Sequence, residues 1–189
     1  MIRIGILGDI GSGKTYVAKN FGYPVFNADK EVTKLYKSNK KIFIQLKKAL
    51  PKYIISFPIN KGEILKSILA SPSNIKKIIK IVHKEIRKKM NVFLIKNRRK
   101  KIVVLDIPLL LENKLNKKND ILIFVQSNKL KILKRLKKRP NFNYKLLKKF
   151  KKIQLPLDYK KKKSQFIIKN NFTKKAVKDG VKVILNKIL

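Results

Sequence analysis

Hydrophobic residues occur in short, nearly unbroken runs at five places along the chain, and these runs predict β-strands. They cover residues 2–7, 23–26, 101–106, 120–125 and 166–168. Such runs are typical of parallel strands that are covered on both faces, because neither face then has to be polar. We therefore expect a mostly parallel, five-stranded sheet.

Between the second and third runs, apolar residues recur at intervals of three and four, which is the spacing of an amphipathic helix. Residues 30–98 are therefore predicted to be mainly helical. The predicted breaks in this segment are at Pro51, Pro58, Gly62 and Pro72. Glycine and proline interrupt helices, so several helices rather than one are expected here.

Helical spacing returns in three other segments, at residues 16–21, 128–152 and 176–189. The second of these carries leucines among many lysines and is broken at residues 140–143. Alternating strands and helices predict an α/β fold with right-handed crossovers and helices on both faces of the sheet. A length of 189 residues suits a single domain, 1–189, with three layers, α/β/α.

Composition excludes several classes of protein. There is no cysteine for a disulfide framework or a thiolate metal site, and the single histidine, His83, excludes a multi-histidine metal site. The longest nearly continuous apolar run, residues 102–111, is broken by Asp106 and Pro108, so no membrane-spanning helix is expected. Because the first strand begins at Ile2, no leader peptide is expected either, and a cytoplasmic location is the default.

The net charge of +40 is the most unusual feature of the composition. One interpretation is a polyanionic partner such as nucleic acid. However, only six of the 50 basic residues are arginine, whereas lysine, isoleucine and asparagine are all abundant. Codons rich in adenine and thymine specify those three residues, and a dedicated nucleic-acid protein would favour arginine for bidentate contacts. We therefore favour biased codon usage, with non-specific, salt-sensitive polyanion binding as a consequence.

The turn after the first strand carries the strongest chemical signal. It reads Gly8-Asp9-Ile10-Gly11-Ser12-Gly13-Lys14-Thr15, a complete G-x-x-x-x-G-K-S/T phosphate-binding loop between a strand and a helix start. In such loops the backbone N–H groups surround a phosphate, and the helix N-terminus adds partial positive charge. Lys14 would reach the β- and γ-phosphates, and Thr15 would offer its hydroxyl to Mg²⁺. A nucleoside triphosphate site is therefore predicted; the alternative is a chance match.

Two predicted strands carry a carboxylate at or just after their carboxyl-terminal ends. Ligands bind at these ends in open α/β sheets. Asp106 ends the third run, in the manner of the aspartate that holds Mg²⁺ in P-loop enzymes, usually through water. Asp29 follows the second run within three residues. The alternatives are a loop aspartate without a ligand for Asp106 and a helix N-cap for Asp29.

Two pairs of basic residues stand four positions apart on predicted helices, so each pair shares a helix face. His83 and Arg87 form the first pair, and a surface or core histidine is the alternative interpretation. Arg135 and Arg139 form the second. Arginines in a mobile segment over the phosphates would stabilise the charge that develops in phosphoryl transfer, whereas the many nearby lysines favour a solvated basic helix.

The chain lacks the marks of other P-loop classes. A GTPase should show D-x-x-G and N-K-x-D, and Asn116-Lys117-Lys118-Asn119 lacks the final aspartate. A transporter ATPase would need a signature loop and greater length. A small-molecule kinase with an inserted acceptor domain and a basic lid fits the size and order of elements.

Five motifs, in the right order, resemble those of the dephospho-CoA kinase family. Residues 4–15 are similar to I-G-L-T-G-G-I-G-S-G-K-S, residues 24–29 to V-I-D-A-D and residues 83–87 to H-P-x-I-R. Residues 106–112 match D-x-P-L-L-F-E almost letter for letter, and residues 154–170 resemble the Q…V-I-x-N ending. The resemblance covers nearly the whole chain and is more specific than any single motif.

The resemblance implies a reaction and a fold. The implied reaction uses ATP and Mg²⁺ to phosphorylate the 3′-hydroxyl of the ribose of dephospho-CoA, giving coenzyme A and ADP. The implied fold is a P-loop kinase with a helical CoA-binding insert at about residues 30–98 and a basic lid at about residues 135–162. The expected partner is dephospho-CoA, with no specific nucleic acid, no membrane, and a monomer or weak homo-oligomer.

The resemblance also implies roles for individual residues. The catalytic residues would be Asp29, as the base, Lys14 and Arg139. The nucleotide would be bound by Gly8, Asp9, Ile10, Gly11, Ser12, Gly13, Lys14, Thr15 and Asn170. The acceptor would be bound by Asp29, His83, Arg87, Leu109 and Glu112. Mg²⁺ would be held, partly through water, by Thr15 and Asp106.

Four residues depart from the family pattern in ways that bear on the site. Asp9 replaces a loop glycine, so its carboxylate should point away from the phosphates. Asn27 replaces the first aspartate of D-A-D, which leaves Asp29 as the base. Lys160 replaces an arginine and Gln165 an aspartate, and these two changes bear on the lid anchor and the nucleotide-base pocket.

Two other functions compete with this interpretation. One is a different small-molecule or nucleotide kinase on the same fold, which a comparison of acceptors would separate. The other is a basic P-loop protein that binds nucleic acid. An arginine patch interleaved with aromatic residues would favour the second, and the sequence has no such patch.

Overall fold

The described residues contain one parallel sheet, in a computed structural model that describes residues 1–140 and 142–189. Within these residues the strands are β1 (Ile2–Gly8), β2 (Val25–Asn27), β3 (Ile102–Asp106), β4 (Ile121–Gln126) and β5 (Phe166–Lys169). Their order is β2-β3-β1-β4-β5, and every neighbouring pair is parallel. The predicted five-stranded, parallel α/β fold is confirmed.

The strands are apolar because helices cover both faces of the sheet. All five residues of β3 are buried, and so are six of the seven residues of β1. Ile4, Ile6 and Ile123 are fully buried in a core that also contains side chains from the first and last helices. Complete burial of an isoleucine side chain stabilises a fold by about 1.5–3 kcal/mol relative to exposure, so this core is the main stabilising element of the sheet.

Helices occupy most of the remaining described residues. They are α1 (Lys14–Asn20), α2 (Ala28–Ser38), α3 (Lys40–Ala49), α4 (Lys61–Ala70), α5 (Pro72–Lys96), α6 (Lys129–Lys137), α7 (Tyr144–Lys152), α8 (Leu157–Lys162) and α9 (Lys174–Ile188). No helix in the described ranges has both the length and the apolar character that crossing a bilayer requires.

Polar side chains set several of the helix starts. Asn143 accepts a hydrogen bond from the Leu146 N–H at 2.9 Å and thereby begins α7. The predicted break between α6 and α7 is therefore present, although Asn141 itself lies outside the described residues. Gly62 is not a break, because it lies inside the first turn of α4, where its N–H donates to the Asn60 side chain.

The described chain divides into two compact units. Unit 1 contains the sheet and consists of Met1–Asn27, Leu94–Phe142 and Gln154–Leu189. Unit 2 consists of Ala28–Phe93 and Asn143–Ile153. Thus α7, which falls in the segment predicted as a lid, clusters with the helices of the predicted insert. Inside unit 2, α7 packs on α4, and the Lys149 ammonium donates to the Leu69 carbonyl at 3.0 Å.

Candidate functional site

The phosphate-binding loop leaves β1 at Gly8 and enters α1 at Lys14, and all three of its glycines have positive φ angles, which favour glycine. Gly8 and Gly13 have φ angles of 144° and 91°. A Cβ at Gly8 would lie 2.7 Å from the Val125 carbonyl oxygen, and a Cβ at Gly13 would collide with the Asn170 side-chain amide. Both the backbone conformation and the close approach of neighbouring atoms therefore require glycine.

Two side chains, from the residues that directly follow β4 and β5, hold the loop in this shape. The Ser12 carbonyl accepts hydrogen bonds from Asn170 Nδ2 at 2.8 Å and from Ser127 Oγ at 3.0 Å. Ser12 is fully buried, and its own hydroxyl has no partner among the described residues. Asn170 was predicted from its motif, whereas Ser127 was missed because a single serine has no motif. The only sequence signal for Ser127 was its position after a predicted strand.

Lys14 and Asp9 are both folded onto the backbone of the loop. Lys14 Nζ donates to the Asp9 carbonyl at 2.7 Å and to the Gly8 carbonyl at 3.2 Å. The buried Asp9 carboxylate accepts the Ile10 N–H at 2.7 Å. These contacts use two groups that a phosphate could engage instead, the Lys14 ammonium and the Ile10 N–H.

Thr15, Asp106 and Asn27 meet at one carboxylate oxygen. Asp106 Oδ2 accepts the Thr15 hydroxyl at 2.6 Å and also the Asn27 side-chain N–H. Asp106 is 3% exposed, and no described residue donates a hydrogen bond to its Oδ1. A hydroxyl and a carboxylate are hard oxygen ligands of the kind that Mg²⁺ prefers, so the predicted pair fits that cation.

A cavity of about 240 Å³ opens beside the loop. It is lined by Gly13, Tyr16, Arg135, Asn170, Phe172 and Lys174. The Arg135 guanidinium lies 4.5 Å from the centre of the Phe172 ring, which is cation–π distance. A planar cation and an aromatic ring both stack on flat heterocycles, so this cavity is suited to a nucleotide base. Tyr16, Phe172 and Lys174 belong to no motif and were not predicted.

The turn after β3 is tied to α8 by a buried ion pair. Lys160 Nζ lies 2.6 Å from Glu112 Oε1, and the two side chains are 3% and 9% exposed. The same oxygen accepts the Leu155 N–H at 3.0 Å, while Glu112 Oε2 is buried without a partner among the described residues. Leu109, on this turn, has a φ of 60°, which is strained for leucine. Lys160 therefore connects α8 to the turn at the position where the family often has arginine.

Gln165 lies at the amino-terminal end of β5, whereas the loop follows the carboxyl-terminal end of β1. It precedes β5, where its side-chain oxygen accepts the Leu122 N–H at 2.7 Å and its own N–H donates to the Leu122 carbonyl at 2.9 Å. The expectation that this departure bears on the nucleotide-base pocket is therefore wrong. Gln165 extends the pairing of β4 and β5, whereas the loop follows the carboxyl end of β1.

Three of the predicted acceptor-site residues lie in unit 2. Asp29 is exposed and is the second residue of α2, so it lies inside the first turn rather than at the N-cap. His83 and Arg87 are one turn apart on α5, as predicted. Burial lowers the pKa of His83 below its ordinary 6.5, and the positive charge of Arg87 lowers it further. The predicted roles of these residues remain predictions.

Arg139 is exposed just after α6 in unit 1. Its side chain makes no hydrogen bond or ion pair with the residues that the structure describes, whereas its backbone N–H donates to the Leu136 carbonyl at 3.0 Å. Unit 1 therefore assembles the loop, Thr15, Asp106 and Asn170 into one site, and Arg139 is not part of that hydrogen-bonded group.

Comparison with known proteins identifies the family. The sequence model of dephospho-CoA kinase matches residues 2–175. A dephospho-CoA kinase of Wolbachia pipientis is 33% identical over 190 residues, which cover 98% of this chain and 97% of that protein.

Two solved structures are similar over almost their whole length. The Thermus thermophilus protein TT1252 has a TM-score of 0.76 at 24% identity, and the alignment covers 100% of this chain and 98% of that one. A dephospho-CoA kinase from Campylobacter jejuni has a TM-score of 0.63 at 20% identity, with 98% and 96% covered. The structures support the shared fold, and the sequence matches show that this chain belongs to the dephospho-CoA kinase family.

Proposed function

We propose that this protein transfers the γ-phosphoryl group of ATP to the 3′-hydroxyl of the ribose of dephospho-CoA, giving coenzyme A and ADP. The observation that carries the proposal is the phosphate-binding loop, with Thr15 and Asp106 in contact beside it, in a chain that matches the family over residues 2–175. The roles of individual residues rest on the family resemblance and on what phosphoryl transfer needs, which is positioning and charge stabilisation.

The loop binds the phosphates of ATP in this proposal. Lys14 leaves the Gly8 and Asp9 carbonyls and donates to the β- and γ-phosphate oxygens instead. This exchange involves rotation of a flexible side chain, and it places a positive charge where negative charge develops during transfer. The buried carbonyl contacts of Ser12 keep the loop open for a phosphate while the lysine moves.

Thr15 and Asp106 hold Mg²⁺ in this proposal, Asp106 partly through water. When bound, the cation neutralises charge on the β- and γ-phosphate oxygens. The Thr15 hydroxyl already donates to Asp106, so its oxygen lone pairs are directed away from that carboxylate. The cavity that contains Arg135 and Phe172 is the proposed site of the adenine ring, and Asn170 both lines this cavity and anchors the loop.

Asp29 accepts the proton of the acceptor hydroxyl. The hydroxyl oxygen then forms a bond to the γ-phosphorus, the bond from that phosphorus to the β–γ bridging oxygen breaks, and ADP leaves with the electron pair. A carboxylate suits this role when a ligand can reach it, and the Asp29 residue is solvent-exposed. His83, Arg87, Leu109 and Glu112 are proposed to bind the acceptor, and Arg139 is proposed to approach the phosphates when the lid closes and excludes water.

An acceptor screen tests the proposal. Purified protein with ATP and Mg²⁺ is supplied in turn with dephospho-CoA, nucleoside monophosphates and shikimate, and ADP release is followed. We expect stimulation by dephospho-CoA alone, with phosphorus–proton coupling to the ribose 3′ position in the product. Stimulation by another acceptor, with none by dephospho-CoA, would show that the proposed substrate is wrong. Protein without acceptor and Lys14→Ala protein are the controls for background hydrolysis.

A further inference from the structure

The contact between Asn27 and Asp106 depends on an amide N–H donor, which the first aspartate of the D-A-D motif that the chain otherwise resembles does not carry. Asn27 is the last residue of β2 and Asp106 the last residue of β3, and the two are direct partners in the parallel register. Asn27 Nδ2 donates to Asp106 Oδ2, the same oxygen that accepts the Thr15 hydroxyl. We propose that Asn27 is a positioning residue for the cation site, an inference that rests on the proposed use of a metal–nucleotide complex.

The amide fixes the orientation of the carboxylate. A carboxylate only accepts hydrogen bonds, so the amide nitrogen and not its oxygen must face Asp106. With two donors on Oδ2, the Asp106 side chain cannot rotate without losing both, and its Oδ1 stays available for a cation or for the water of a cation. Residues that orient a metal ligand through a hydrogen bond typically change metal affinity by 10–100-fold when they are removed.

An aspartate at position 27 would behave in the opposite way in the absence of a cation. It could not donate to Asp106, and it would place a second negative charge directly across the strand pair. The Asn27 amide therefore avoids repulsion between two carboxylates and limits the site to the single carboxylate of Asp106. A site with one carboxylate relies more on the nucleotide phosphates for cation binding, which is how Mg²⁺ is commonly bound together with phosphates.

Mn²⁺ binding provides a measurement that does not depend on turnover. Free Mn²⁺ is counted by electron paramagnetic resonance while Mn²⁺ is titrated into protein saturated with ADP. For Asn27→Ala we expect Mn²⁺ binding about tenfold weaker than in the wild type. Binding of ADP in the presence of EDTA should be unchanged. The matched control is Asn20→Ala, because the Asn20 amide donates to the Tyr16 carbonyl on the exposed side of α1.

Asn27→Asp distinguishes positioning from a general effect on folding. Its melting temperature without cation should be below that of the wild type, and Mn²⁺ with ADP should raise it by a larger increment than in the wild type. A purely structural role would lower both temperatures equally.

The measurements distinguish a failure of the inference about Asn27 from a failure of the proposed cation site. If the wild type binds ADP and Mn²⁺ tightly and Asn27→Ala binds Mn²⁺ as tightly, the inference is wrong and the proposed function is untouched. If Mn²⁺ does not tighten ADP binding to the wild type, the proposed cation site is wrong, and the inference with it.

Discussion

The two units of this protein hold their predicted functional residues in different ways. In unit 1, Ser12, Asp106 and Asn170 are nearly or fully buried; Asn170 donates a hydrogen bond to the Ser12 carbonyl, and the Thr15 hydroxyl donates one to Asp106. In unit 2, Asp29 and Arg87 are exposed and His83 is half-buried. The predicted nucleotide site in unit 1 is thus organised by buried hydrogen bonds, as electrostatic catalysis requires, whereas the predicted acceptor residues in unit 2 are more accessible to solvent.

This contrast has a testable consequence. Substitutions in unit 1 that break buried contacts should change folding stability, ligand binding or both, because their partners lose hydrogen bonds in a low-dielectric environment. Substitutions of the predicted acceptor residues that are exposed in unit 2 should change turnover, while the free energy of unfolding stays almost constant.

Lys14→Ala should have the largest effect on turnover. Loss of the loop ammonium removes charge stabilisation on the transferred phosphoryl group, and kcat/KM should fall by about 10³-fold or more. ADP release in a coupled assay measures this effect. Lys19→Ala, an exposed lysine of the same helix, is the matched control and should retain activity. Equal activity of the two variants would remove Lys14 from the mechanism.

Asp29→Asn tests the predicted role of Asp29, which lies in unit 2. If Asp29 is the base, kcat should fall by about 10²-fold or more, while the dissociation constant of ATP and the unfolding free energy stay close to those of the wild type. Asp179→Asn replaces an exposed aspartate on α9 and serves as the control. An unchanged kcat in Asp29→Asn, measured with saturating dephospho-CoA, would contradict the assignment.

Lys160→Met tests the buried contacts of unit 1. It leaves the Glu112 carboxylate buried without its cation, and breaking a buried ion pair in this way should cost about 3 kcal/mol of stability. Urea unfolding measures the loss. Lys161→Met changes the adjacent, exposed lysine and should be close to neutral. If both variants unfold at the same urea concentration, the pair contributes nothing to the stability of the fold.

The smallest expected effect is that of His83 protonation on folding stability. Burial, and then the charge of Arg87, hold the pKa of His83 below 6.5, so the imidazole should be neutral near neutral pH. The stability linked to this group is present above the unfolded-state pKa and is lost as the pH falls through the folded-state pKa.

Proton NMR of the single histidine measures that pKa directly. Arg87→Gln should raise it only in part, because burial is the larger cause. Arg98→Gln is the control, since Arg98 lies outside α5. A wild-type pKa at or above 6.5 would contradict the assigned cause.

Much of unit 1 was predictable because its signals are local in sequence. The five apolar runs became strands, with ends displaced by no more than two residues, and the loop lies between β1 and α1 as its motif requires. The consecutive residues of such a loop carry both the glycine conformations and the phosphate-binding amides, so no distant information is needed to recognise it.

Other parts could not be predicted because they depend on contacts between distant residues. Asn27 was read as a lost carboxylate, and only the register of β2 with β3 makes it a donor to Asp106. Gln165 was expected to bear on the nucleotide-base pocket, and only its place before β5 shows that it lies at the amino-terminal end of that strand. No motif linked Arg135 to Phe172.

The sequence alone determined the strands, the phosphate-binding loop and the resemblance to a kinase family, because hydrophobic spacing and loop chemistry are properties of neighbouring residues. The tertiary structure alone decided how Asp106 is oriented, which residues anchor Ser12, and that α7 clusters with the helices of unit 2. Those outcomes depend on strand order and packing, which bring together residues that are far apart in the chain.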